Sequence, residues 1–290
     1  MVTACRSRTH RHPGVGLLSR LVPRRDAIIA ASLVAAVLML VACSTDQGAA
    51  GSSFKPVSRG VLTVATAFLP APGFWEGRPP VSGFEAGLAA ALARRLGLDR
   101  VRVVQVPFTT ILRGKLAGAD MALSQLTPTK EREKYVNFST PYLTAPPGIL
   151  ARRGVNAIDV HGLQSLRWVE SSASTLTPIV SDRIRPHGKP IIVVDRAQAL
   201  QVLRAGGADA LLLDLPVALG LARAEPERFH VLGQLSGGEG LAAVLPKGSS
   251  NSEIVDSAIR ALTANGTIGR LTSRWLGKSV GNVPLILTEQ

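Results

Sequence analysis

Two side chains stand out for the chemistry they could carry. Arg132 closes the run Thr129-Lys130-Glu131-Arg132, and a guanidinium can offer two parallel N–H donors to a carboxylate. Asp214 ends the apolar stretch Leu211-Leu212-Leu213-Asp214. A carboxylate at the tip of such a stretch is costly to desolvate unless a cation or several N–H groups meet it. Each also has an ordinary reading. The run Lys130–Lys134 has the composition of a solvated helix face, and Asp-Leu-Pro is common turn chemistry. The motifs of other chemistries are missing: there is no GxxxxGK followed by Ser or Thr, no HExxH, no GxSxG and no CxxC. His161, His187 and His230 fall in loop-like stretches, so neither a metal nor a cofactor is expected. Glu170 and Glu239 are the acids that could serve proton transfer in a cleft, and neither lies in a catalytic pattern.

Composition narrows the classes further. The 290 residues allow about two domains, and 46% hydrophobic against 18% charged residues can bury a sizeable core. The formal net charge of +13 raises nucleic acid as a partner. Six arginines and a single acid, Asp26, sit within residues 1–42, and the remaining basic residues are dispersed, with few aromatics among them. A nucleic-acid groove shows a clustered basic stripe with stacking rings, so no nucleic-acid partner is expected.

The segment 27–42, AIIAASLVAAVLMLVA, is uncharged, too short for a permanent spanning helix, and preceded by Arg24-Arg25. That is the order of a secretory signal. Leu40-Val41-Ala42-Cys43 resembles a bacterial lipobox, which implies lipidation of Cys43 and a mature chain beginning there. Residues 1–42 are therefore expected to be a lipoprotein signal peptide, removed together with Cys5. The long basic region places the expected start codon downstream of Met1. Residues 43–58, beginning CSTDQGAAGSS, read as a flexible tether that spaces a domain from a bilayer.

Beyond the tether, β-rich runs alternate with helical patterns. VLTVAT (61–66), VRVVQV (101–106) and ADMALS (119–124) read as strands. Phe84, Leu88, Leu92 and Leu96 recur every fourth residue and predict a helix ending at Gly97. Thr109 and Thr110 could cap a second helix holding Ile111, Leu112 and Leu116. LRWV (166–169), IIVV (191–194) and ADALLL (208–213) form a second series, with a helix at 197–205. A strand at 241–245 and helices near 251–263 and 266–276 follow. Two such series predict two α/β lobes with parallel-rich sheets flanked by helices, and a ligand cleft between the lobes.

Four segments in this order resemble the bacterial extracellular solute-binding proteins of the polar amino acid group (family 3), which feed ABC importers. They are GFEAGLAAALARRLG (83–97), FTTILRGKLAGADMALSQLTPTKEREKYVNFSTPY (108–142), LRAGGADALLLD (203–214) and NGTIGRLTSRWLG (265–277). The resemblance implies the two-lobed periplasmic-binding-protein-like (type II) fold. Lobe 1 would comprise 59–150 and 241–290, and lobe 2 would comprise 151–240. It also implies an amino-acid ligand, an ABC permease as membrane partner, a monomer, and an extracytoplasmic, lipid-anchored location.

The same resemblance assigns roles. Arg132 falls where the family's arginine clasps the ligand carboxylate, and Asp214 where its acid meets the ammonium. Thr127 and Ser124 lie near positions that contact the same carboxylate. Phe68, Phe74 and Phe108 lie near positions that present rings to the ligand, whereas Trp168 and Trp275 are assigned to packing and Asp209 to structure. Ser172-Ala173-Ser174 stands where relatives carry Gly-Thr-Thr at a helix N-terminus; without glycine, a left-handed backbone there would be strained. Gly87 is a second departure, at a position that is commonly acidic. Two rival functions remain: a periplasmic dehydratase-like enzyme on the same scaffold, and an amino-acid sensor signalling to a membrane partner.

Overall fold

The computed structural model describes residues 53–68, 70–277 and 282–288. The signal-like segment, Cys43 and the tether up to residue 52 lie outside the described residues. The tether is shorter than expected from the sequence: Phe54 is buried, the Lys55 amide donates to Asn251 Oδ1 and the Val57 amide to Asp120 Oδ1.

The first lobe is built on a sheet of six strands. They are β1 (Val61–Thr66), β2 (Arg100–Gln105), β3 (Met121–Leu126), β4 (Val136–Phe138), β5 (Leu143–Ala145) and β11 (Glu239–Pro246). β1 runs parallel to β2 and β3, and β11 pairs antiparallel with β3, β4 and β5. In the second lobe β6 (Pro147–Arg152) lies between β9 (Ala210–Asp214) and β10 (Phe229–Gln234), antiparallel to both. β7 (Val169–Ser171) and β8 (Ile191–Val193) pair in parallel, and a parallel bridge from Trp168 to Ala210 joins them to β9. The sheets are thus mixed rather than parallel-rich. β6 and β11 each enter a lobe from the other one and run back along its sheet.

The helices follow the predicted stripes with one exception. α1 (Phe84–Arg95) buries Phe84, Leu88 and Leu92, each contributing about 1.5–3 kcal/mol by leaving water. Its Gly87 explains one departure: a Cβ there would lie 2.6 Å from Leu271 Cδ2, so the missing side chain lets α8 (Thr267–Trp275) pack closely. α2 (Phe108–Ile111) is a single turn rather than the longer helix expected. Pro107 precedes it, so Thr109 and Thr110 lie inside the turn and cap nothing. Gly114, at φ 73°, then turns the chain; its Cβ position is 2.7 Å from the Tyr135 carbonyl oxygen. The second lobe holds α3 (Val160–Gln164), α4 (Thr177–Ile179), α5 (Arg196–Arg204) and α6 (Leu215–Ala224), and α7 (Ser252–Ala264) returns to the first.

Two lobe boundaries also differ from expectation. β6 lies wholly in the second lobe from Pro147, and β11 belongs to the first from Glu239, so the crossings fall a few residues before 150 and 240. The tail does not stay in the first lobe. The Gln234 amide donates to the Pro284 carbonyl, the Ile286 amide donates to the Gln234 carbonyl, and Ile286 packs with Ile149, Trp168 and Leu235.

Candidate functional site

A cavity opens between the lobes at the ends of β3 and β9. From the first lobe it is lined by Phe68, Phe108, Ser124, Gln125, Thr127 and Arg132. From the second it is lined by Ser171, Ser174, Thr175, Asp195, Arg196 and Asp214, with an apolar wall of Leu176, Leu200 and Leu211–Leu213. Strand ends facing a cleft carry side chains held by the sheet hydrogen bonds behind them, which suits a small-molecule site. Among the described residues, no group of three or more His, Cys, Asp or Glu could hold a metal ion.

Arg132 starts the short turn after the β3 loop. Its Nη1 donates to the Thr127 carbonyl at 2.7 Å and its Nη2 to the Ala173 carbonyl at 2.8 Å, across the cleft. The guanidinium carbon lies 5.9 Å from the centre of the Phe108 ring, a cation–π distance that fixes its lower face. Two of the five N–H donors of a guanidinium are engaged in this way, and the others remain for a ligand. Burial lowers its pKa, and Glu239 and Asp214 oppose that shift by charge.

Asp214 is the counterpart. Burial pushes its pKa up to about 7, the nearby Glu239 carboxylate adds to the rise, and Arg196 and Arg132 oppose it. It lines the cavity, and no hydrogen bond satisfies its side chain among the described residues. Beside it, Arg196 at the start of α5 donates from Nη1 to Gln125 Oε1 at 3.1 Å, a second bond across the cleft. Gln125 takes a left-handed φ of 49°, and its amide and Nε2 donate to the two oxygens of the buried Glu85. Tyr142 donates its hydroxyl to the same carboxylate. A third link joins Thr175 Oγ1 to Glu239 Oε2. Among the described residues these three contacts cross the cleft at the cavity, and Arg223 Nη2 donates to the Trp275 carbonyl away from it, so the lobes are closed on one another.

Seven of the nine residues assigned to the ligand line this cavity: Arg132, Asp214, Thr127, Ser124, Ser174, Phe68 and Phe108. Phe68 is 55% exposed, at the mouth. Ser124 turns its hydroxyl oxygen to the Ala67 amide. Phe74 is a correction. The loop folds back so that the Glu85 amide donates to the Phe74 carbonyl, and the ring packs edge-on to Phe84 in the core, fully buried.

Ser172 is a second correction; it is exposed and does not line the cavity. No left-handed residue occurs in Ser172–Ser174, so the missing glycine causes no strain. The expected helix N-terminus is not there either, since α4 begins at Thr177 and spans three residues. The Ser172 and Ser174 amides donate to the Val193 and Ser171 carbonyls, and the Ala173 amide to Ser171 Oγ. This loop thus offers Arg132 an acceptor, while its Ser172, Ala173 and Ser174 amides are already engaged. Trp168 is buried as assigned, and Asp209 is clamped by Arg152 and Arg167, which lower its pKa.

Gln125, Thr175 and Arg196 were not foreseen. Gln125 looks like a regular strand residue in Met121–Leu126. Arg196 follows Asp195, whose side chain accepts from the Gln198 amide, so the pair reads as an ordinary helix start. The signal that was available is position: Gln125 lies near the end of β3, and Thr175 and Arg196 lie in the segments that follow β7 and β8.

A two-lobed α/β fold closed over a cleft lined by charged groups of both signs defines a solute-binding protein. The chain belongs to the bacterial extracellular solute-binding proteins, family 3, whose profile matches residues 63–278. It is similar to the L-cystine-binding protein TcyJ of Escherichia coli (strain K12), 27% identical over 267 residues, which cover 88% of this chain and 97% of that protein. Among solved structures it is similar to an ancestral arginine-binding protein bound to glutamine. The identity is 27% and the TM-score 0.65, over 76% of this chain and 100% of that one. It is also similar to the ancestral amino acid-binding protein AncCDT-1, a precursor of cyclohexadienyl dehydratase. There the identity is 27% and the TM-score 0.62, over 75% of this chain and 96% of that one.

Proposed function

We propose that the protein is an extracytoplasmic receptor, lipid-anchored through Cys43, that closes on an α-amino acid or close analogue and delivers it to an ABC-type permease. The observation that carries the ligand reading is that Arg132 from one lobe and Asp214 from the other line the same cavity. A zwitterion carries a carboxylate for the guanidinium fork and an ammonium for the carboxylate, a few ångströms apart. Thr127 and Ser174 lie at the cavity wall to receive the remaining polar atoms, and Phe68 and Phe108 lie where a ligand side chain meets rings. The crossings between β5 and β6 and between β10 and β11 serve as the hinge, with one lobe on either side. The receptor works as a monomer, needing no second chain to complete the cleft.

Amino acids are screened by the rise in melting temperature of the purified protein. Ligand at 100 times its Kd adds about 2.7 kcal/mol to stability. At least one amino acid is expected to produce that shift, and Arg132→Ala to abolish it; a variant that shifts like the wild type refutes the assigned role. Replacing Cys43 by Ser is expected to release the protein from the membrane fraction. A dehydratase-like enzyme is the second reading, supported by the likeness to the dehydratase precursor. It is weakened by Glu170, which is sealed in the core with Oε1 on the Leu212 amide, and by Glu239, which is bonded to Thr175. Turnover of a candidate substrate, lost in Glu170→Gln, is its test.

A further inference from the structure

The zwitterion scheme uses one cation and one anion, and the cleft holds a second cation. Arg196 is half-buried and opens onto the cavity; among the described residues its guanidinium has a single hydrogen-bond acceptor, Gln125 Oε1, and no ion pair. Gln125 cannot swing away freely, because Glu85 holds both its amide and its side-chain nitrogen, and Tyr142 holds Glu85. The guanidinium is thus fixed from across the cleft, and its other donors have no acceptor among the described residues.

The acids around it are already matched, with one exception. Asp195 caps α5 through the Gln198 amide, Glu85 takes Gln125 and Tyr142, and Glu239 accepts from Thr175. Asp214 has no donor of its own, and in the receptor reading it awaits the ligand ammonium. Asp214, Glu85 and Asp195 act on this guanidinium by charge but none bonds to it among the described residues, so a ligand carboxylate that reaches its open donors gains a charge-assisted hydrogen bond. The donors left open on Arg132 and Arg196, with the Asp214 carboxylate, complement two acceptor groups and one ammonium, and the charge of Asp195 beside Arg196 is already tied to the α5 cap.

We propose that Arg196 reads the ligand side chain, and that the receptor selects acidic amino acids, whose second carboxylate meets this guanidinium when the lobes close. This inference rests on the amino-acid reading of the cleft. A cationic side chain would meet Arg196 as a like charge. A neutral amide would present its oxygen but forgo the charge-assisted bond.

The test is calorimetric titration of the full-length protein with L-glutamate, L-aspartate, L-glutamine, L-asparagine and L-arginine, on wild type, Arg196→Gln and Arg196→Lys. The wild type is expected to favour each acid over its amide by roughly 10- to 100-fold. Arg196→Gln is expected to bring that ratio close to unity, and Arg196→Lys to restore part of it. Equal binding of acid and amide by wild type, tighter binding of arginine, or an unchanged ratio in Arg196→Gln overturns the inference. Should the Gln variant fail to fold, the wild-type ratio and the Lys variant decide. If glutamine or arginine binds best and binding is lost in Arg132→Ala, the receptor reading stands and this inference alone falls. If no amino acid binds, both fall.

Discussion

The Asp214 carboxyl gives the receptor reading a pH signature that can be worked from its surroundings. Burial and the neighbouring Glu239 hold it at about 7, and an ammonium ligand needs it ionised. Binding below that pKa therefore expels a proton, which costs about 1.4 kcal/mol, or tenfold in affinity, for each pH unit. At pH 5, two units below, the ligand binds about 100-fold more weakly than at pH 8, where the affinity is near its maximum. The ligand-free protein shows the opposite trend. A carboxyl whose pKa is raised on folding favours the fold below its unfolded value, near 4, and that contribution is lost as pH rises through about 7. Asp214→Asn should therefore weaken binding at pH 8, abolish its pH dependence and stabilise the empty protein at that pH. Titration calorimetry in buffers of different ionisation enthalpy measures the proton directly: close to one released at pH 6 and about a tenth at pH 8. A constant Kd from pH 5 to 8 with no proton release would refute the assignment of Asp214 to the ammonium.

Three further outcomes follow from individual contacts. Glu170, in the second-lobe core, is pushed up to about 8 by burial, and its Oε2 has no hydrogen-bond partner among the described residues. Its neutral form favours the fold, so Glu170→Gln should raise the melting temperature at pH 9 and leave it nearly unchanged at pH 4. Gly87→Asp should change stability by less than about 1 kcal/mol, read from the denaturation midpoint, because the crowded Leu271 methyl ends a flexible side chain and removing a helix glycine offsets the crowding. Ile286→Ala should cost about 2–5 kcal/mol, because this buried side chain fastens the tail to the second lobe. A midpoint unchanged by the last substitution would show that the tail contributes nothing there.

Where side-chain periodicity reports burial, the sequence was legible. The stripe Phe84, Leu88, Leu92 reads as a helix because one face must meet the sheet, and VLTVAT reads as a strand because both of its faces are covered. β4 and β5 escaped notice because three residues carry no period, and β6 because Pro-Gly opens a run that is buried throughout. The direction of β6 and β11 depends on chain crossings, which local pattern does not encode. Within the site, Arg132 and Asp214 were legible through motif context. Arg196 was not, since its meaning comes from Gln125 in the other lobe and from a left-handed backbone hidden in Met121–Leu126. Phe74 misled for a related reason: a ring in a Pro/Gly-rich loop looks available until the loop folds back onto Phe84.

The most direct measurement compares the tightest-binding amino acid with its α-carboxamide and its N-acetyl derivative on the wild-type protein. With Arg132 and Asp214 gripping opposite ends of one zwitterion, blocking either end should remove detectable binding. Capped derivatives that bind as tightly as the free amino acid would contradict it.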